Sequence, residues 1–258
     1  MSTEKTNPTV KSADRVLDIF ELFAEMKEMN LMEISRQLEL PTSSVFKILQ
    51  NLESRGYLEK DESRKTFRLG YKIFEIGAKY AQNTSLTAEF TQIAQHIVDE
   101  INEAVYMSIR SGSNILYIAE KQSTQAVRLV SHLGMQLPLH STAMGKMLLS
   151  GLDDEEVKAM YPESHLGVLT ENTLESLPNL LEQLAVIRQE GIAYSRGEAI
   201  LGIHCTAAPI YNADGNIIAA MSISIPSTRW NETVWKQMKE LVTEGANKLS
   251  LIHYYQQS

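Results

Sequence analysis

The 258-residue chain is 43% hydrophobic and carries a formal net charge of −8, long enough for two domains with ordinary cores. Nothing in it approaches the roughly eighteen consecutive apolar residues of a membrane span, and the opening "MSTEKTNPTVKSADR" lacks the apolar centre of a secretory leader. A single cysteine, Cys205, excludes an intrachain disulfide framework and is what a protein of the reducing cytoplasm carries.

The first predicted element is "VKSADRVLDIFELFAEM", with Val16, Leu17, Ile19, Phe20 and Phe23 on one stripe and Ser12 as its expected N-cap. "LMEISRQLEL" is a short second helix that must stop before Pro41, because proline pushes Leu40 out of the α region. Thr42 or Ser43 then caps a third helix, which Gly56 ends in the left-handed region. "YLEKD" and "KTFRLG", joined by "ESR", alternate as a β-hairpin. Three helices with a tight turn before the third, followed by a hairpin, spell a winged helix-turn-helix.

Charge agrees. Residues 1–80 hold 13 basic and 13 acidic side chains, so the whole negative excess lies beyond them. Residues 40–72 hold seven basic against four acidic. On the third helix Val45, Ile48, Leu49 and Leu52 form a buried face, while Ser43, Ser44, Lys47, Asn51 and Ser54 form a small polar one free of acid. A helix entering the major groove must keep carboxylates from phosphates and offer short donors and acceptors to base edges. Candidate DNA-binding residues are therefore Thr42, Ser43, Ser44, Lys47 and Asn51, with Arg64 and Lys65 at the tip of the wing. The alternative is a helical subdomain whose polar face only meets water.

"YKIFEIGAKY" continues as a linker helix with Ile73, Ile76 and Tyr80 on one side, suited to pairing with its own copy; "QNTS" should break it and mark the domain boundary. Beyond come an amphipathic helix, "LTAEFTQIAQHIVDEIN", and a hairpin, "AVYMSIR-SGSN-ILYIAEK". "AVRLVSHLG" is expected as a strand, "STAMGKMLLS" as a short helix capped by Ser141, and "DDEEVKAMY" as another with acids in its first turn. "TLESLPNLLEQLAVIRQEG" is a longer helix ending at Gly191. "GIAYSRGE", "GIHCTAAPIY" and "NIIAAMSISIP" are strands, the last two joined by an Asp-Gly turn, and a closing helix runs from about Asn231 to Tyr254. A meander with helices at its ends argues for an α+β chain with an antiparallel sensor-like domain.

The fragment "GIAYSRGEAILGIHCTAAPIYN" resembles the IclR family of bacterial transcription regulators, through Gly191, Ser195, Glu198, Cys205, Ala207, Ile210, Tyr211 and Asn212 at fixed spacings. "SADRVLDIFELF", "GYLEKDESRKTFRLG", "LPLHSTAMGKMLLS" and "IIAAMSISIP" extend the likeness nearly end to end. Two positions depart: Thr206 stands where the family usually has an aliphatic residue, and Ser195 where it often has Asp. The resemblance implies a winged helix-turn-helix over 1–69, a linker helix over 70–83, and an effector-binding domain of GAF/PAS type over 84–258. It also implies homodimers or homotetramers on double-stranded operator DNA, mostly repressors of catabolic or transport genes, released by a small organic acid or aromatic compound.

Cys205 is the one candidate nucleophile, and a small-molecule enzyme using it is the rival function. His204 is adjacent, but neighbouring side chains on a strand point to opposite faces, so a base must come from His140 or His165. A buried inert thiol, or a thiol lining an effector pocket, are the other readings. Metal binding through His140, His204 and Cys205 has no ligand spacing behind it, and neither metal nor cofactor is expected. Ser222 and Ser224 share one side of a strand, either a solvated face or a pocket wall. The helix start at Ala143 and Met144 offers unpaired N–H groups to an anion; the alternative there is a plain surface helix. With Ser195 and Cys205 these are the candidate effector-binding residues, with Leu129, Leu133, Met144 and Met147 as apolar lining and Lys146 pointing away.

Overall fold

The computed structural model describes residues 10–83, 85–129 and 131–257. The chain divides into two compact units on either side of the bond between residues 83 and 84.

In the first unit α1 (Lys11–Glu25), α2 (Leu31–Gln37) and α3 (Thr42–Ser54) enclose a core of Ile19, Phe23, Ile34, Val45, Leu49 and Leu52. β2 (Leu58–Asp61) and β3 (Thr66–Leu69) form the wing, pairing Leu58 with Leu69 and Asp61 with Thr66. A third strand was not expected: β1, only Met29–Asn30, pairs with the outer edge of β3. Two residues are too few to show alternation.

The caps differ from expectation. Val10 precedes α1 without a side-chain hydrogen bond, so Ser12 lies inside the helix. Pro41 occupies the N-cap of α3, again with no side-chain bond, so neither Thr42 nor Ser43 caps it. The built N-cap is on α2, where Asn30 and Glu33 form a reciprocal capping box. Gly56, at φ +76°, ends α3 with Tyr57 N–H donating to the Leu52 carbonyl, as a Schellman turn requires.

α4 (Tyr71–Asn83) closes this unit and α5 (Ser85–Ile101) opens the next. The expected break at "QNTS" is thus narrower than proposed. Helix persists through Asn83 because residues 81–83 bring neither glycine nor proline to stop it, and Thr84 lies outside the described residues.

The second unit is built on one antiparallel sheet in the order β6-β5-β4-β9-β8-β7. Its strands are β4 (Ala104–Ser111), β5 (Asn114–Lys121), β6 (Gln136–Pro138), β7 (Ala193–Arg196), β8 (Ile203–Tyr211) and β9 (Ile217–Pro226). One face carries Val105, Met107, Met221 and Ile223 against α5 and α9 (Glu232–Gln257). The other carries Ala104, Tyr106, Ala193 and Ala207 against α6 (Ala143–Ser150) and α8 (Leu177–Glu190), with α7 (Asp154–Met160) beyond. Thr206, the departure from the family pattern, is fully buried in this sheet.

Residues 126–129 and 131–134 form no strand, against expectation, and Val130 lies outside the described residues. Polar contacts hold this segment off the sheet. Arg128 donates to Gln122 and the Gln125 carbonyl, and the Leu129 carbonyl accepts from Tyr106 at 2.7 Å. The sheet edge is filled instead by β6. At α6 the cap is Thr142, whose Oγ1 accepts from Gly145 N–H at 2.9 Å; Ser141 belongs to the preceding 3-10 turn, Leu139–Ser141.

Candidate functional site

Sheet register builds the floor of a cavity. Ser195 on β7 lies opposite Cys205 on β8, Cys205 opposite Ser224 on β9, and Ser224 opposite Ala104 on β4. The next row along sets Ala193, Ala207, Ser222 and Tyr106 side by side. Apart from Tyr106 at the end of the second, the side chains of both rows are small and leave space beneath α6 that larger ones would fill. The resulting pocket is partly open, about 380 Å³ of empty space with its solvent-filled mouth included, and all six expected effector residues line it: Ala143, Met144, Ser195, Cys205, Ser222 and Ser224.

Each serine is buried, so the solvated-face reading of Ser222 and Ser224 does not hold. Ser224 Oγ sits 3.1 Å from Cys205 Sγ, and Ser195 Oγ donates to the Ser141 carbonyl at 3.2 Å. Ser222 borders the cavity and makes no hydrogen bond through its hydroxyl to the described residues. Above the floor, Thr142 occupies the Gly145 N–H, leaving those of Ala143 and Met144 as the open donors of the first turn of α6.

Sequence reasoning missed Tyr117, Thr142 and Ile200 among the lining residues. Tyr117 had a signal, since it faces the same side of the sheet as Ile115 on β5, but its edge-to-face contact with Tyr106 was not legible. Of the apolar candidates Leu129 and Met144 line the cavity, whereas Met147 is buried in the core and Leu133 is 61% exposed beside the Gly134 turn. No Lys or Arg is among the lining residues. Lys146 is buried elsewhere, its Nζ 2.7 and 2.8 Å from the Glu198 carboxylate and 2.8 Å from Gln183 Oε1. Desolvation lowers its pKa and Glu198 opposes that shift.

Among the described residues no histidine is placed to act as a base for the thiol. Burial pushes Cys205 up to about 11, against the small lowering by Ser224, so it is protonated near neutral pH and a poor nucleophile. His204 packs against Trp230, His140 binds the Gly167 carbonyl at 2.8 Å, and His165 bridges to Ser176. Among the described residues no three His, Cys, Asp or Glu side chains gather as metal ligands.

In the first unit Ser43, Lys47 and Asn51 are exposed on α3, and Arg64 and Lys65 are exposed on the wing loop. Ser44 is half-buried, as is Thr42, whose hydroxyl lies 3.2 Å from Ser35 Oγ at the turn from α2. Asp61 shapes the wing loop by accepting from the N–H groups of Ser63 and Arg64. The three cations differ. Arg64 pairs with Glu28 at 3.1 Å, while among the described residues neither Lys47 nor Lys65 has an ion-pair partner.

Comparison with known proteins agrees with this geometry. Residues 78–251 match the model of the bacterial transcriptional regulator IclR C-terminal domain, and residues 12–62 match that of the IclR helix-turn-helix domain. The chain is 32% identical over 247 residues to the HTH-type transcriptional regulator KdgR of Dickeya chrysanthemi, covering 96% of this chain and 81% of that one. It is 31% identical over 218 residues to the HTH-type transcriptional repressor AllR of Escherichia coli K12, covering 84% and 80%. Among solved structures, an IclR homologue from Microbacterium hydrocarbonoxydans, complexed with 4-hydroxybenzoate, superposes with a TM-score of 0.81 at 20% identity, over 93% of this chain and 99% of that one. Winged helix, cavity-bearing sheet and both family models converge: the chain belongs to the IclR family and is a DNA-binding transcriptional regulator with a ligand-binding C-terminal domain, not an enzyme.

Proposed function

We propose that the protein represses catabolic or transport genes and is released from its operator by a small organic acid. The observation that carries this reading is the gathering of Ala143 and Met144, at the start of α6, with Ser195, Cys205, Ser222 and Ser224 around one cavity. It offers hydrogen-bond donors and apolar walls without a cation. A compact carboxylate held by main-chain N–H groups and hydroxyls suits such a lining. A phosphorylated sugar suits it less, because a dianion calls for Arg or Lys. The repressor AllR and the 4-hydroxybenzoate-bound homologue support the two halves of the reading.

On the DNA side, Ser43, Ser44, Lys47 and Asn51 meet the major groove, Thr42 steadies the start of α3, and Arg64 and Lys65 follow the backbone. One winged helix reads only a short half-site, so the regulator acts as a homodimer or homotetramer. α4 supplies an apolar surface for pairing, with Tyr71, Phe74 and Ile76 exposed and Ile73 half-buried. Its place of action is the cytoplasm; among the described residues no helix is long and apolar enough to cross a membrane.

Calorimetric titration with a panel of small carboxylates and their neutral amides tests the pocket. Each hydrogen bond to a charged group contributes roughly 1.5–3 kcal/mol, so Ser222→Ala with Ser224→Ala should weaken binding about a hundredfold or more. Operator affinity without effector should stay put. Amides that bind as well as acids, or a double mutant that binds like the parent, would remove the assignment.

A further inference from the structure

α3 carries one residue that neither its core nor its polar face explains. Phe46 is 44% exposed and is not among the side chains packed against the core of the first unit. Val45, Leu49 and Leu52 supply the buried face of the helix. Phe46 instead lies one turn from both Ser43 and Gln50, beside Lys47, and all three of these are exposed. Phenylalanine is a middling helix former, and a ring left in water forgoes the burial that is its chief contribution to a fold.

We propose that Phe46 reads thymine: its ring packs on the C5-methyl group of one thymine in each half-site. This rests on the reading of α3 as the helix that enters the major groove. There the thymine methyl is the one apolar feature of the base edges, and an apolar side chain is what distinguishes it. The neighbouring Ser43, Lys47 and Asn51 offer hydrogen bonds, which a methyl group cannot accept. Phe46 therefore supplies a kind of recognition that the rest of the exposed face lacks. Its place in the first half of α3 suits it, since the leading residues of a recognition helix contact base edges.

Uracil substitution isolates the methyl group. The full chain is used to select binders from a random duplex library, and affinities are measured by fluorescence anisotropy on the selected duplex. Each thymine is then replaced singly by uracil. One methyl carries about fourfold in affinity, so one thymine per half-site should lose about that much with the parent chain. Phe46→Ala should bind the thymine and uracil duplexes equally, while Phe46→Leu keeps a reduced preference. If no thymine-to-uracil change weakens the parent, or if Phe46→Ala retains the preference, Phe46 does not read thymine. If the parent enriches no motif at all, the groove-reading role of α3 falls and this proposal falls with it.

Discussion

Lys65 shows how much one residue's setting decides. It holds φ +55°, the left-handed region that most side chains avoid, at the end of the wing loop. There it is exposed, with its charge unpaired among the described residues. Asparagine tolerates that backbone better than most residues, so Lys65→Asn removes the charge and spares the wing. Each phosphate contact contributes about 0.9 to the slope of log K against log salt, and a dimer losing Lys65 should lose about two. Arg64 is different, because Glu28 already holds it. An exposed pair of this kind contributes about 0–1 kcal/mol, so Glu28→Gln should loosen the guanidinium, leaving only its longer 3.9 Å pairing with Asp61, and raise operator affinity by up to about fivefold. Anisotropy titrations over a series of salt concentrations read both effects. An unchanged slope for Lys65→Asn takes the wing out of the interface. Identity and exposure of these cations were legible in the sequence. The difference between a free and a held cation was not, since Glu28 and Arg64 are 36 residues apart and meet only in the fold.

Elements were legible wherever a period or a stop signal ran long enough to be seen. α3, α8 and the four long strands β4, β5, β8 and β9 follow their apolar patterns, and Gly56 and Gly191 stop helices in the left-handed region. What escaped was short or held by side chains: β1, with two residues, and the segment before β6, whose alternation imitates a strand while Arg128 and Tyr106 hold it as a loop. The cap of α6 falls one residue later than expected, because by type Ser141 is the better cap, whereas the 3-10 turn takes it up and leaves Thr142 at the N-cap. Packing around α6 makes a sharper statement than its cap. A Cβ on Gly145 would stand 2.1 Å from the Leu139 carbonyl oxygen and 2.5 Å from its Cα, both backbone atoms that cannot rotate away. Gly145→Ala must therefore push the start of α6 off the 3-10 turn, and with it Ala143 and Met144, which line the cavity. Overpacking of this kind costs about 1–3 kcal/mol, read as a lower urea midpoint with an unchanged slope. Effector affinity should fall as well. An alanine variant as stable as the parent would mean that α6 is free to shift there.

At the scale of the whole molecule, the chain joins a unit that meets DNA to a unit that encloses a cavity, and regulation requires their two equilibria to be linked. Linkage is reciprocal: if effector lowers operator affinity by some factor, operator must lower effector affinity by the same factor. Couplings of this kind are about 1–3 kcal/mol, or roughly 5–150-fold. Substitutions then sort by what they change. Ser222→Ala with Ser224→Ala acts on the cavity, whose lining residues all belong to the second unit, so it should raise the effector concentration needed for release while leaving the factor at saturation intact. Phe74→Asp acts on α4, where Phe74 is 78% exposed and therefore contributes little to the fold of its own unit. If α4 is a pairing surface, a buried charge there splits the dimer and lowers operator affinity with or without effector. Effector affinity in the absence of DNA should match that of the parent. The measurement is a four-cornered cycle: effector titrated with and without saturating operator, and operator titrated with and without saturating effector, for the parent and both variants, beside sedimentation velocity. Equal factors along the two routes must be found for the parent. A serine variant whose factor collapses at saturation would show that the hydroxyls sense the DNA-bound state as well as the ligand. A Phe74→Asp chain that keeps the parent's size and operator affinity would remove α4 from the assembly.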